Sequence, residues 1–222
     1  MIAVTAAESR LDRWFYTSMA VIFASAAIVG FTPNSLAILA GTKENPPLLI
    51  HVHAAAMSLW LILLTTQAIL VASGNPRYHA QLGMVSFVLA PFIVLLMILI
   101  AFPLFQGGEH AYSIGVVQIK RVTLFSSFFL LAVLARKRDS EAHKRLMFLA
   151  TLVVLDAAFN RMGGFLPDFG ITNVMALTHA YELVLLVPLL AYDWLKTGRI
   201  HRVYATGVPI IVAFSVVASA LW

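Results

Sequence analysis

AQLGMVSFVLAPFIVLLMILIAF, residues 80–102, runs its whole length without a charged side chain. About 20 apolar residues, rising about 1.5 Å each, cross the hydrocarbon core of a bilayer, so this run is long enough to span. Its neighbours repeat the pattern. Apolar segments at 14–32, 48–72, 115–136, 143–163, 174–195 and 203–221 complete a predicted set of about seven transmembrane helices. The fold class is all-α, a polytopic bundle forming a single domain over 1–222. Turn-forming residues separate the segments: Pro33-Asn34, Asn45-Pro46-Pro47, Ser73-Gly74-Asn75-Pro76, Gly107-Gly108, Arg136-Lys137-Arg138-Asp139, Gly163-Gly164 with Pro167, and Gly198. Pro91, Pro188 and Pro209 fall inside spans and are predicted to kink them. Residues 108–119 read equally as an outer loop, a re-entrant piece or a helical extension.

Composition leaves little room for another class. Hydrophobic residues make up 61% of the 222 and charged residues only 11%, against about 25% charged in soluble domains. The net charge of +5 does not indicate nucleic acid, because the basic residues lie in short loops between apolar runs. The partner is the lipid bilayer. There is no cysteine, which excludes disulfides, thiolate metal sites and covalently attached haem. The run at 14–32 has a mixed flank of Glu8, Arg10, Asp12 and Arg13 and no clear cleavage site, so it reads as an uncleaved first helix rather than a signal peptide.

Lysine and arginine orient the chain. Arg10, Arg13, Arg77, Arg136, Lys137, Arg138, Lys144, Arg145, Lys196, Arg199 and Arg202 fall on one side; Lys43, Lys120, Arg121 and Arg161 fall on the other. The larger group belongs in the cytoplasm, which places the N-terminus inside. Trp14, Tyr16, Tyr192 and Trp194 then fit an inner aromatic belt, and Trp222 an outer one.

Ionisable residues inside a membrane are expensive and need a partner or a task. Counting from the inner end of each helix puts Arg121 at about 22 Å, Asp156 at about 20 Å and Glu182 at about 21 Å. By the same count Asn160 and His179 reach about 26 Å and His53 about 30 Å. Asp156 and Asn160 share one helix face, as do His179 and Glu182. His51 and His53 point to different sides, so one of them faces inward. One reading is a structural network of Lys120 and Arg121 against Asp156 and Glu182. The other adds the histidines, with His51, His53, Asp156, His179 and Glu182 as candidate zinc ligands and Glu182 alternatively as a general base. His53 and His179, with Arg121 nearby, are also candidate haem contacts.

A second polar group lies at the inner face. PRYHAQLGMVSFVLA at 76–90 echoes SEAHKRLMFLATLVV at 140–154, and His79 and His143 are 64 residues apart. They read either as interfacial residues beside Arg77, Lys144 and Arg145, or as axial ligands of a haem b. Two bis-histidine pairs, one near each face, resemble the transmembrane di-haem b-type cytochromes in logic, though not in motif.

The runs HVHAAAMSLWLILLTTQAILVASGNPRYHAQLG (51–83) and EAHKRLMFLATLVVLDAAFNR (141–161) resemble a family of bacterial membrane proteins of unknown function, over roughly residues 14–195. The shared features are the histidine on the second helix, Gln67, the H-x-x-L-G at the third and the HKRLM at the fifth. The resemblance implies a membrane fold in a bacterial cell inner membrane and no activity. Three functions remain as expectations: haem-binding electron transfer first, then an outer-leaflet metal-dependent hydrolase, then a proton-coupled transporter. Whether the chain is an enzyme stays open, since it has no nucleophile motif and no phosphate-binding glycine loop.

Overall fold

The computed structural model describes residues 10–103, 109–162 and 170–222, with side chains described at 13–103, 114–162 and 170–222. The described chain is all-helical: α1 Arg10–Leu39, α2 Leu48–Ala72, α3 Pro76–Gly83, α4 Ser86–Ala101, α5 Glu109–Ala135, α6 Ser140–Arg161, α7 Val174–Val184, α8 Leu186–Thr197 and α9 Arg202–Ala220. The pairs α3–α4 and α7–α8 are each one rod with a break, so these described segments make seven rods. Six of them are long and apolar enough to cross a membrane. Their outer faces expose Ile28, Leu36, Ile62, Val88, Val187 and Leu195. So much contiguous apolar surface suits lipid rather than water, and the chain is a multi-pass membrane protein.

The remaining rod, α6, is the exception that organises the others. It carries Glu141, Lys144, Arg145, Asp156 and Arg161, yet it is the most buried of the described helices, with Leu149, Ala150, Leu152 and Val153 at 0% exposure. It packs against α1, α5, α7 and α9. A helix walled by protein can hold charges that a lipid-facing one could not, provided neighbours pair them. The Asp139 carboxylate opens α6 by accepting the Ala142 N–H at 2.8 Å and also binds Arg202 at 2.7 Å. Both contacts hold its pKa below the usual carboxylate value. The buried Trp60 indole of α2 donates to Thr151 Oγ1 of α6 at 3.0 Å, so its N–H is satisfied inside the core.

Helix ends depart from expectation most clearly at the first helix and the third span, and one of the three readings of 108–119 holds. The first helix does not stop at Pro33-Asn34 but runs on to Leu39. Proline removes one N–H, and here Thr32 and Ser35 hydroxyls bond back to the Ile28 and Phe31 carbonyls within the same stretch. The third span begins at Pro76 rather than 80, because proline suits the first helical turn. Residues 109–119 are a helical extension of α5. The expected breaks at Gly107-Gly108 and at Gly163-Gly164 with Pro167 lie outside the described residues.

Proline accounts for one of the two rod breaks. Pro188 has no N–H for the Val184 carbonyl, and α7 gives way to α8 there, with Leu185 N–H reaching Tyr181 O only at 3.4 Å. The α3–α4 break falls at Met84-Val85, where the bonds tighten to i→i+3 and Ser86 Oγ donates to Gly83 O at 2.6 Å.

α1 crosses α6 through Gly30. A Cβ at Gly30 would stand 2.5 Å from the Ala158 carbonyl oxygen and 2.8 Å from its carbon, both backbone. Gly207 of α9 is also tight, but its neighbour is the tip of Leu149, at 2.6 Å, which can rotate. Gly30→Ala is therefore expected to destabilise by about 1–3 kcal/mol or more, and Gly207→Ala by clearly less. Thermal unfolding in detergent measures both, and equal losses would contradict this crossing.

Candidate functional site

Two buried ionic clusters flank the core, one toward each end of α6. The first lies toward the end remote from the basic loops. Lys120 of α5, only 1% exposed, places Nζ 2.6 Å from Glu182 Oε2 and 3.4 Å from Asp156 Oδ2. The adjacent Arg121 donates from Nε to Asp156 Oδ1 at 2.6 Å and from Nη1 to Gln118 Oε1 at 2.8 Å. Two cations thus face two carboxylates, and the four charges sum to zero.

Two polar atoms in this cluster are left over. His179 Nδ1 bonds Ser219 Oγ of α9 at 2.9 Å, but its Nε2 has no hydrogen-bond partner among the described residues and stands 4.0 Å from Asp156 Oδ2. Glu182 Oε1 is likewise buried without a partner among them. Asp156, His179 and Glu182 each offer a ligand atom, and these atoms lie within 4.8 Å of one another. Buried polar groups are nearly always satisfied, so two unpartnered polar atoms in one ionic cluster mark a place for a further partner.

Local structure fixes these side chains. Asn173 caps α7 by accepting the Ala176 N–H at 2.9 Å, and its amide donates to the Ser219 carbonyl at 2.9 Å. That ties the start of α7 to the end of α9 and sets His179 against Ser219. His179 and Glu182 then share one helix face by their spacing of three.

The remaining candidates sit apart. His51 is exposed and pairs with the Asn45 side chain at 2.9 Å. His53 is half-buried with Nδ1 unpartnered, and it is not a member of the three-residue group. Asn160 is half-buried. Arg161 caps its own helix by donating to the Ala157 carbonyl at 2.6 Å and lies over the Phe31 ring. His79 and His143 do meet, with ring centroids 6.4 Å apart.

The second ionic cluster is one that reading the sequence missed. By its position Arg145 belongs with the interfacial basic residues of its loop, yet it is 3% exposed. Its guanidinium grips Asp193 through Nε at 3.0 Å and Nη2 at 2.5 Å, and Glu141 through Nη1 at 2.6 Å. Asp193 also accepts the His201 N–H at 3.1 Å. Burial and the Arg145 charge hold the His201 imidazole pKa below its usual value, so Nδ1 stays free to accept the Val203 N–H and cap α9. A signal for this cluster exists. Arg145 and Asp156 are eleven residues apart on α6, and Glu182 and Asp193 are eleven apart on α7–α8. Eleven residues are about three turns and about 16 Å, so each rod shows both charges on one face. Leu149, Leu152, Leu186 and Leu189, all at most 2% exposed, fill the space between.

Fold and site define a polytopic helical membrane protein with a buried Asp-His-Glu group that could hold a metal. No family model, no curated protein and no solved structure matches the chain.

Proposed function

We propose that this protein binds a divalent metal ion inside the membrane at Asp156, His179 and Glu182, in competition with Lys120. The observation that carries the reading is the pair of unpartnered buried atoms, His179 Nε2 and Glu182 Oε1, in one group with Asp156. One imidazole nitrogen and two carboxylate oxygens suit zinc and similar borderline ions. The Ser219 contact on Nδ1 orients the imidazole so that Nε2 is the ligating atom, as outer partners of metal histidines do. Lys120 is the resident cation. Its ammonium covers Glu182, and an arriving metal displaces it from that carboxylate.

Ion handling fits better than hydrolysis. A hydrolase needs a base beside its metal-bound water. Glu182, the expected base, has one oxygen on Lys120 and offers the other as a ligand. At this site zinc also has more support than haem, because the His179 nitrogens face Ser219 and Asp156 rather than a second histidine. We place the protein in a bacterial inner membrane with its N-terminus inside, which the bias of basic loops supports.

Metal analysis of purified protein tests the site. About one zinc per chain is expected after equilibration with zinc and removal of excess, with at least tenfold weaker binding in Glu182→Gln and in His179→Ala. Retention of full zinc affinity in both variants would remove the proposal.

A further inference from the structure

We propose that His79 and His143 coordinate a single transition-metal centre between them, at the opposite end of the bundle from the Asp156 site and independent of it. The two residues hold equivalent places. Each sits in the first turn of its helix, with its N–H bonded to the carbonyl of the cap residue, Asn75 for His79 and Asp139 for His143. Both the caps and the histidines are 64 residues apart, so the echo in the sequence is an echo in position.

The spacing leaves room for one ion between the rings. An imidazole nitrogen is about 1.1 Å from its ring centre and a metal–nitrogen bond is about 2.0–2.1 Å, so two imidazoles on opposite sides of one ion have centroids about 6.3 Å apart. The observed separation is 6.4 Å. It is too long for the two rings to hydrogen-bond directly, since their nitrogens can approach no closer than about 4 Å, beyond hydrogen-bonding reach. The rings stand at 83° to each other, which costs nothing in such a complex because each turns about its own metal bond.

Second contacts agree with this geometry. His143 Nδ1 lies 2.8 Å from the Ala132 carbonyl, so it donates there and leaves Nε2 as a lone-pair donor. The Gln67 backbone carbonyl lies beside the His79 ring, and His79 Nδ1 is buried without a partner among the described residues. Both polar atoms of the Gln67 side chain are buried and unpartnered too. The His79 ring and the Gln67 side chain thus both hold buried polar atoms without partners among the described residues, which packing alone explains poorly. Among the described residues no carboxylate joins this pair in a metal-type group, so the ligand chemistry is imidazole alone. Two sources of metal fit trans imidazoles: haem iron, which brings its own four nitrogens, or a bare soft ion such as copper.

The test uses full-length protein carrying Glu182→Gln, so that the other site is weakened, purified from haem-replete cells. Its absorption spectrum is recorded oxidised and reduced, and then copper binding is titrated. A Soret band identifies haem iron as the source; a colourless protein that takes up one copper ion identifies the bare ion. In either case His79→Ala and His143→Asn, the second keeping a donor for Ala132, should each weaken the signal at least tenfold, and His51→Ala should leave it unchanged. Absence of both signals, or their survival in both variants, overturns the proposal, and neither result bears on zinc binding at Asp156.

Discussion

Asp156→Ala is expected to cost the folded bundle about 3–5 kcal/mol, the range for breaking a buried ion pair by removing one partner. The carboxylate is fully buried and serves Arg121 at 2.6 Å and Lys120 at 3.4 Å. Without it two cations share one carboxylate, Glu182, in buried surroundings that screen them little. Asp156→Asn keeps the shape and removes the charge, so it should fall within the same range. The loss should be partly recovered when Arg121→Met is added to Asp156→Ala, because the orphaned charge then goes as well. Thermal unfolding in detergent of the wild type, the two single variants and the double variant forms the double-mutant cycle. A single-variant loss below about 1 kcal/mol would mean that the cluster is hydrated rather than dry.

Arg145→Met should be as damaging at the other end, again by about 3–5 kcal/mol. Among the described residues it leaves Asp193, 1% exposed, with only the His201 N–H, and leaves Glu141 paired with Lys144 alone. It also unfastens α6 from α8 next to the Pro188 break, so the loss should include fraying of α8 and of the turn at Gly198. Hydrogen exchange distinguishes this from a uniform loss: amides of 186–203 should exchange faster relative to those of α2 and α4. If protection fell evenly through the bundle, Arg145 would not be a local fastener. Because Arg145 and Asp156 lie about 16 Å apart along α6, their effects should add.

Much of this was legible in the sequence. The apolar runs marked the rods, and counting residues up each rod placed Asp156, Glu182, Arg121 and His179 near one depth before any contact was known. Depth is linear in residue number along a helix, so it survives without tertiary information. What did not survive was rotation. Whether His53 joins that layer depends on the angle at which α2 meets its neighbours, and the three-residue group forms without it. Arg145 was hidden for a related reason. A basic residue one turn into a helix reads as interfacial, and only the facing Asp193, eleven residues beyond Glu182, reveals that it points inward. Pro33 misled because a proline ends a helix in water more readily than in lipid, where local hydroxyl bonds help the chain continue through it.

Lys120 pairs with Asp156 and Glu182, as the network reading of the sequence expected. A lysine at 1% exposure inside a membrane protein is costly unless its charge is used. Here it neutralises Glu182, and in the proposed site it would give way to a metal. The most direct measurement is therefore the zinc dissociation constant of the wild-type protein against Lys120→Met, with melting temperature followed in parallel. The variant should be less stable without metal, because Glu182 loses its counter-ion, should bind zinc at least tenfold more tightly, and should regain stability as zinc binds. Equal zinc affinity in the two proteins, or no binding in either, would contradict a metal site at Asp156, His179 and Glu182 guarded by Lys120.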